Sequence, residues 1–339
     1  MKFDYLIYIG RFQPFHQGHL TLVQQALTQA KKLLILCGSA HQPRSINNPW
    51  SVVEREAMIR AALPPEAQER IVVCGISDRM YNDQKWVGDV QDTVHSVLNH
   101  GAPVKSLSVG LVAPPQDEGF LDLFPQWPQL ALPEIEPLYS FKLRDRYFNQ
   151  QELEESVVPG SVRTWLNEFK RTDAFSDLAE EWRFIHDYRQ AWAYAPHAPI
   201  FVTTDAVVIQ SGHVLLVKRR ARPGKGLWAL PGGFVNQDET LQAAMLRELR
   251  EETKLKVPLP VLIGSIKSAR VFDHPNRSVR GRTITHAFLI ELMPGDLPKV
   301  KGGDDAEKAK WFALSEFKKM QEQLFEDHFH IVDYFLGQI

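Results

Sequence analysis

A chain of 339 residues exceeds one average domain, so two hydrophobic cores are expected. A composition of 44% hydrophobic, 24% charged and 10% aromatic residues excludes disordered, fibrous and disulfide-scaffold classes. Lys and Arg number 39 against 41 Asp and Glu, a net charge of −2, so no basic field awaits a nucleic-acid backbone and nucleic acid is not an expected partner.

Phe3 to Ile9 reads as a first strand, followed by a turn at Gly10 to Gly18. Leu20, Val23, Leu27 and Ala30 then recur at helical spacing, and Leu33 to Cys37 supplies a second apolar run, which together make a right-handed βαβ unit. Further strands are expected at Arg70 to Cys74 and Leu107 to Val112, with helices at Val53 to Ala62 and Trp86 to Asn99. This alternation predicts a doubly wound parallel α/β sheet. Six prolines mark residues 113–137 as loop, and helices at Val162 to Phe169 and Ser176 to Trp192 close the half. The run Ala195 to Pro199 interrupts regular structure, so the domain boundary is placed there, dividing the chain into residues 1–195 and 196–339.

Beyond it, Val202 to Ile209 and Val214 to Val217 flank Ser211-Gly212 as a β-hairpin. A helix is expected at Glu239 to Thr253, strands at Leu259 to Ile266 and Ile284 to Leu292, and a helical region from Ser315. The two cysteines, Cys37 and Cys74, lie in apolar runs without metal-ligand spacing and read as packing residues. The N-terminal sequence lacks the pattern of a signal peptide, and no apolar run reaches the roughly 20 residues of a membrane helix, so a cytoplasmic protein without membrane association is expected. Oligomeric state, a homo-oligomer included, is left open.

The strongest motif is Gly233-x5-Glu239-x7-Arg247-Glu248-Leu249-x-Glu251-Glu252, preceded by Leu230-Pro231-Gly232. At roughly 100° per residue, Glu248, Glu251 and Glu252 share one side of a helix, while Leu241, Met245 and Leu249 form the neighbouring apolar stripe. Clustered carboxylates repel one another unless cations intervene, and carboxylate oxygens suit Mg²⁺ or Mn²⁺. Such an ion neutralises diphosphate oxygens and activates water, so phosphoanhydride hydrolysis follows. Arg247 can pair with Glu239, and Gly232 and Gly233 permit a tight turn. Arg277, Arg280 and Arg282 offer guanidinium groups for phosphate oxygens or form a solvated basic loop. No GxxxxGK[ST] pattern occurs, which argues against an ATPase-type site.

This segment resembles the Nudix box of the Nudix hydrolases, which implies an α/β/α sandwich with a mixed sheet in the second half. The resemblance also implies that Glu248, Glu251 and Glu252 hold catalytic metal, with Glu252 among the catalytic residues and Glu239 and Arg247 bracing them. One departure is Lys254, where the family usually has glycine. The stretch Gly302 to Glu307 is similar to the Nudix loop that presents a catalytic acid or base, and the base is left open between it and Glu252.

In the first half, Gly10-Arg11-Phe12-Gln13-Pro14-Phe15-His16-Gln17-Gly18-His19 joins the first strand to a helix N-terminus, a position that favours phosphate. His16 and His19, three residues apart, can donate hydrogen bonds to ATP phosphates, and Gly18 allows close backbone approach. The segment resembles the archaeal-like nicotinamide-mononucleotide (NMN) adenylyltransferases, and Asn48-Pro49-Trp50-Ser51 with Glu54-Arg55 is similar to that family's second landmark. Joined to the Nudix segment, the chain resembles the bifunctional NMN adenylyltransferase/Nudix hydrolase family over nearly its whole length. That resemblance implies NAD and pyrophosphate from ATP and NMN, and Mg²⁺-dependent hydrolysis of ADP-ribose to AMP and ribose 5-phosphate. It implies catalytic roles for His16, His19 and Arg144, and substrate contacts from Gly10, Arg11, Phe12, Gly18, Asn48, Ser140, Arg247, Arg280 and Arg282. Trp86 is a candidate for stacking on nicotinamide or a core tryptophan. Two departures stand out: Gly110-Leu111-Val112-Ala113-Pro114 replaces the usual Gly-His-x-x-Asp run, and Tyr139-Ser140-Phe141-Lys142-Leu143-Arg144 has Phe141 in place of threonine. An alternative alignment of the latter motif runs through Ser161 and Arg163. An alternative function is therefore a Nudix hydrolase whose first domain binds or senses nucleotide without efficient transfer.

Overall fold

The computed structural model describes residues 2–99, 107–112, 122–130 and 138–337. It divides into two compact units, Met1–Glu180 and Glu181–Ile339. The division falls ahead of the Ala195 to Pro199 run, inside a helix. Among the described residues no helix is long and apolar enough to cross a membrane.

In the first unit, β1 (Phe3–Gly10), β2 (Ala30–Ala40), β3 (Ile71–Ser77), β4 (Val109–Val112) and β5 (Gln129–Leu130) form a parallel sheet ordered β3-β2-β1-β4-β5. The helices between them are α1 (Gln17–Gln29), α2 (Val52–Ala61), the short α3 (Pro65–Gln68) and α4 (Asp83–Asn99). Ile7, Leu34 and Leu36 pack with Val90, Val94 and Leu98 of α4, while the alternate residues Leu6, Leu33 and Ile35 are equally buried. Both sheet faces are thus covered, which is why these strands read as continuous apolar runs. Leu111 belongs to the same core as Ile7. Three further helices follow, α5 (Ser140–Phe148), α6 (Gly160–Phe169) and α7 (Asp173–Ala191). Of the proline-rich stretch expected to be loop, residues 113–121 and 131–137 lie outside the described residues, as does the Ala113-Pro114 part of the substituted motif.

The second unit is built on a mixed sheet of β6 (Phe201–Gln210), β7 (His213–Arg219), β10 (Ile266–Phe272), β11 (Thr283–Glu291) and β12 (Ala306–Ala313), ordered β10-β11-β6-β7-β12. Two short strands, β8 (Trp228–Ala229) and β9 (Gly232–Phe234), pair with β7 and β6. Only the β6–β11 pairing is parallel. The β6–β7 hairpin turns through Ser211 and Gly212, both at positive φ (45° and 72°), the backbone that a two-residue hairpin turn demands. Helix α8 (Leu241–Thr253) starts at the Thr240 cap and lays Met245 and Leu249 against Ala206, Val208 and Leu215.

One sequence expectation fails here, and one strand has no counterpart among those expectations. Leu259 to Ile266 is not a strand: residues Leu259–Gly264 form helix α9, and the strand β10 begins at Ile266. Pro260 near the helix start pre-sets the helical turn, and only Leu262 of the apolar run is buried. Strand β12 escapes the sequence because Glu307, Lys308 and Lys310 break up its apolar residues, a pattern suited to the edge strand that β12 is. The C-terminal region contains α10 (Leu314–Phe317), one 3₁₀ turn and α11 (His328–Leu336).

Lys254 ends α8 with φ 51° and ψ 29°, the left-handed cap usually given to glycine. Its Cβ carries a steric cost in that conformation. Replacing Lys254 with Gly should stabilise the second unit by about 1 kcal/mol and raise its unfolding midpoint by roughly 2–4 °C. Differential scanning calorimetry of the full chain checks this; an unchanged or lower midpoint rejects it.

Two candidate active sites

The first site lies where β1 feeds α1. Phe12 has φ 53°, and its ring folds back over Gly10, where an added Cβ would come within 2.8 Å of the ring. The ring stacks edge-on to Tyr8 and His19 and is 1% exposed. Phe12 therefore packs the inside of the loop, a correction to its expected substrate contact. Gln13 ties the loop to the following segment: its Nε2 donates to Asn48 Oδ1 and to the Trp50 carbonyl (3.0 Å), and its Oε1 accepts from the Trp50 N–H. Asn48 is buried in this tie, so its side chain orders the loop instead of facing substrate. Arg55, fully buried, donates to the carbonyls of Arg11 (2.8 Å) and Gly38 (2.6 Å) and fixes the ends of β1 and β2 together.

His16 and His19 cap α1 reciprocally. His16 Nδ1 accepts from the His19 N–H, His19 Nδ1 accepts from the His16 N–H, and the rings stack at 3.6 Å. With both Nδ1 atoms occupied as acceptors, the neutral rings carry their protons on Nε2 and present donors. Burial pushes His16 down to about 4, and burial followed by the adjacent His16 pushes His19 well below its ordinary value. Both imidazoles are neutral near pH 7. A Cβ at Gly18 would stand 3.3 Å from the His16 ring, so glycine leaves the pair its space.

Arg144 on α5 is 6% exposed and donates to the Gln13 carbonyl at 2.7 Å. Burial, then repulsion from Arg11, lowers it to about 10. Two guanidinium groups that repel each other beside a loop of neutral donors make a site for an anion. Ser140 opens α5, and Phe141 is 53% exposed without a hydroxyl to offer. Trp86 is half-buried and packs on Phe124 within the core, which fits the core alternative.

The second site is a cavity of about 310 Å³ between β6, β7, β9, α8 and the loops before β11 and α11. Arg247 is the hub of its acidic wall. Its guanidinium donates to both oxygens of Glu239 (2.6 and 3.0 Å), to Glu248 (2.7 Å), to Glu251 (3.2 Å) and to the Phe234 carbonyl (3.2 Å). These bonds hold Glu239 down to about 2. Glu252 accepts from the Gly232 N–H at 3.1 Å and is otherwise desolvated, which pushes it up to about 8; burial raises Glu248 too. Gly232 and Gly233 lie in β9 at ordinary φ, so they serve close approach and not the tight turn expected. A Cβ at Gly233 would meet Glu248 at 2.5 Å, and one at Gly232 would meet the Thr204 carbonyl at 2.2 Å.

Among the described residues no three carboxylate, imidazole or thiolate groups already enclose one point. Arg247 instead supplies the positive charge. The donor chemistry nevertheless fits a divalent cation: an all-oxygen set in which two carboxylates, Glu248 and Glu252, are held above their ordinary range by burial and by repulsion from nearby carboxylates.

The three expected arginines separate. Arg277 is buried in a two-pronged pair with Asp327 (both bonds 2.9 Å) and lines the cavity floor. Arg280 lines the cavity between the rings of Phe234 (5.5 Å) and Phe325 (6.0 Å). Arg282 instead bonds the Asp273 carbonyl and pairs with its carboxylate at 3.5 Å, away from the cavity lining, a correction to its expected substrate contact. Asp304 and Asp305 of the expected loop do line the cavity. The sequence carries no sign of Asp205, Arg219, Glu326 or His328, which reach the cavity from β6, β7 and the start of α11. Asp205 accepts from the Thr285 hydroxyl at 2.5 Å, His328 Nδ1 accepts from the Leu230 N–H at 2.8 Å, and Arg219 lies 4.1 Å over the Phe325 ring.

Comparison with known proteins meets both sites. The NUDIX domain model matches residues 199–335, and a cytidylyltransferase-like model matches residues 7–87. The chain is 36% identical over 185 residues to a nicotinamide/nicotinic acid mononucleotide adenylyltransferase of Acinetobacter baylyi, covering 54% of this chain and 95% of that protein. It is 36% identical over 130 residues to an ADP-ribose pyrophosphatase of Methanocaldococcus jannaschii, covering 38% of this chain and 72% of that protein. Across 99% of both chains it is similar to a bifunctional NMN adenylyltransferase/ADP ribose pyrophosphatase of Francisella tularensis, crystallised with AMP and a manganese ion, at a TM-score of 0.92 and 33% identity.

Two outcomes follow from buried charge. The unfolded chain protonates His16 near pH 6.5, whereas the folded chain does so only near 4, so stability is full above 6.5 and is lost as pH falls toward 4. The loss from His16 alone approaches about 3 kcal/mol. Urea midpoints of wild type and His16→Asn should converge on acidification, and parallel curves reject the assignment. Arg277→Met removes the two-pronged partner of the buried Asp327 and should cost about 3–5 kcal/mol, much of it recovered in Arg277→Met/Asp327→Leu. A double variant no more stable than the single one rejects the buried-charge account.

Proposed function

The chain belongs to the family of bifunctional NMN adenylyltransferase/ADP-ribose pyrophosphatases, and we propose that its first unit forms NAD from ATP and NMN while its second cleaves ADP-ribose. The observation that carries this reading is the retention, within one chain, of two complete charge environments suited to opposite tasks. The first is a loop of neutral donors beside the Arg11 and Arg144 guanidinium groups, the second an acidic helix beside a cavity lined with arginines.

In the first unit, an NMN phosphate oxygen attacks the ATP α-phosphorus; a new P–O bond forms as the bond to the β-phosphate bridge breaks, and pyrophosphate leaves. This needs positioning and charge stabilisation more than proton transfer. His16 and His19 would donate through Nε2–H to phosphate oxygens, and Arg11 and Arg144 would supply positive charge where it accumulates. Gly10 and Gly18 leave the room these groups need. Ser140, at the N-terminus of α5, would add a hydroxyl contact.

In the second unit, water attacks one phosphorus of the diphosphate, and AMP and ribose 5-phosphate separate. Glu248, Glu251 and Glu252 would hold a divalent cation, Mg²⁺ or Mn²⁺, which neutralises diphosphate oxygens and lowers the pKa of water. Arg247 and Glu239 hold the acidic face in place. Arg280 would bind the phosphate or ribose portion from the opposite wall. The group that exchanges the proton is Glu252 or a carboxylate of the Asp304-Asp305 loop, all of which line the cavity.

The test uses one preparation and two assays. Wild type should form NAD from NMN and ATP and should hydrolyse ADP-ribose. His16→Ala should lose about 10²-fold or more in NAD synthesis while keeping hydrolysis, and Glu252→Gln should lose about 10³-fold in hydrolysis while keeping synthesis. ADP-ribose turnover without NAD formation by wild type would reduce the first unit to nucleotide binding; full hydrolysis by Glu252→Gln would remove the acidic helix from the mechanism.

A further inference from the structure

Arg280 reaches the cavity from residues 273–282, a segment without helix or strand. A guanidinium on an irregular loop contributes to binding only if its backbone is held. The peptide groups of the preceding residue, Val279, are held on both sides. Its N–H donates to Glu326 Oε1 at 3.0 Å, and its carbonyl accepts from Arg189 Nε (3.1 Å) and Nη2 (2.6 Å). Arg189 lies in the last turn of α7.

About two turns earlier on the same helix, Glu181 grips a second loop. Its Oε1 accepts from the Gly224 N–H at 2.8 Å and its Oε2 pairs with Arg222 at 3.1 Å, with the Glu181 side chain only 12% exposed. Gly224 has φ 73°, and a Cβ there would fall 2.2 Å from the Phe325 ring, so this turn is seated directly against the aromatic wall on which Arg219 lies. Arg219 Nε also donates to the Pro223 carbonyl at 2.8 Å. Arg222, Arg219, Arg280 and Phe325 all line the cavity. The two contacts from α7 thus meet the two arginine-bearing loops of one site.

We propose that the second half of α7 is a brace for the hydrolase cavity, with Glu181 and Arg189 acting as positioning residues for Arg222 and Arg280. A helix that reads in sequence as the close of the first half thereby belongs functionally to the second. The proposal rests on the reading that this cavity cleaves ADP-ribose, but the brace itself is measurable without substrate.

The experiment takes the full chain as wild type, Glu181→Ala, Arg189→Met, Arg189→Lys, Arg280→Met and Arg189→Met/Arg280→Met. Hydrogen exchange should accelerate at least tenfold at Gly224 in Glu181→Ala and at Val279 in Arg189→Met, because each loses a fixed partner of its loop. With ADP-ribose, each α7 variant should raise KM about tenfold with kcat within about threefold, since orientation of a binding group is lost and the acidic helix is untouched. Arg189→Lys, which keeps one donor toward Val279, should fall between wild type and Arg189→Met. The double variant should match Arg280→Met alone, because Arg189 acts through Arg280. NAD synthesis in the same preparations should be unchanged. Unaltered exchange in both loops overturns the brace, whatever the substrate. Faster exchange with an unchanged KM, or additive effects in the double variant, overturns its role in positioning. A wild type inert toward ADP-ribose would instead refute the substrate reading, and the exchange rates would still decide the brace.

Discussion

Arg55 holds two loop carbonyls with one buried guanidinium, and the first site depends on that bond set. The ends of β1 and β2 carry the carbonyls of Arg11 and Gly38, which would otherwise point into the crevice at the carboxyl edge of the sheet without donors. Burying an arginine is costly and pushes its pKa down, and here three backbone carbonyls, those of Arg11, Gly38 and Ser51, accept from the guanidinium. The arrangement fixes where the Gly10 to His16 loop departs, and with it the pair of imidazoles. Arg144 repeats the device on the Gln13 carbonyl, and in the second unit Arg277 does so with a carboxylate. Irregular segments that carry chemistry are pinned by guanidinium groups because a planar fork reaches two acceptors at fixed angles.

The two units present opposite charge at their candidate sites. In the first, burial keeps both imidazoles neutral near pH 7, with Nδ1 of each accepting a backbone N–H. In the second, carboxylates crowd together until burial and repulsion hold Glu248 and Glu252 above their ordinary range. Arg247 relieves part of that repulsion through Glu239, Glu248 and Glu251, but it leaves Glu252 with a single backbone donor. The residual field of the cluster suits a cation, and Arg247 holds its carboxylates together.

Legibility in the sequence follows the range of the contact. The three glutamates lie within one helical turn, so spacing alone places them together, and the Thr240 cap and the Met245–Leu249 stripe place the helix on the sheet. The Gly10 to His19 turn is equally local. Asp205, Arg219, Glu326 and His328 have no such signature: they meet because β6, β7 and the approach to α11 end around one cavity. Arg277, Arg280 and Arg282 show the limit most sharply. Three arginines within six positions look alike in sequence, yet one is buried on Asp327, one lines the cavity and one turns back onto Asp273. Their partners lie up to 50 positions away, and no short pattern encodes them.

The same reasoning explains Phe12 and Asn48. Both sit inside motifs that read in sequence as binding segments, but a loop of ten residues cannot turn every side chain outward and remain ordered. Phe12 accepts a positive φ so that its ring can cover Gly10, and Asn48 spends its oxygen on Gln13. The motif is therefore a folded object in which some residues bind and others hold the binders still. Substituting Phe12 would disturb His19 through the edge-on contact of their rings. A motif residue and a ligand-contacting residue are different categories, and only the packing separates them.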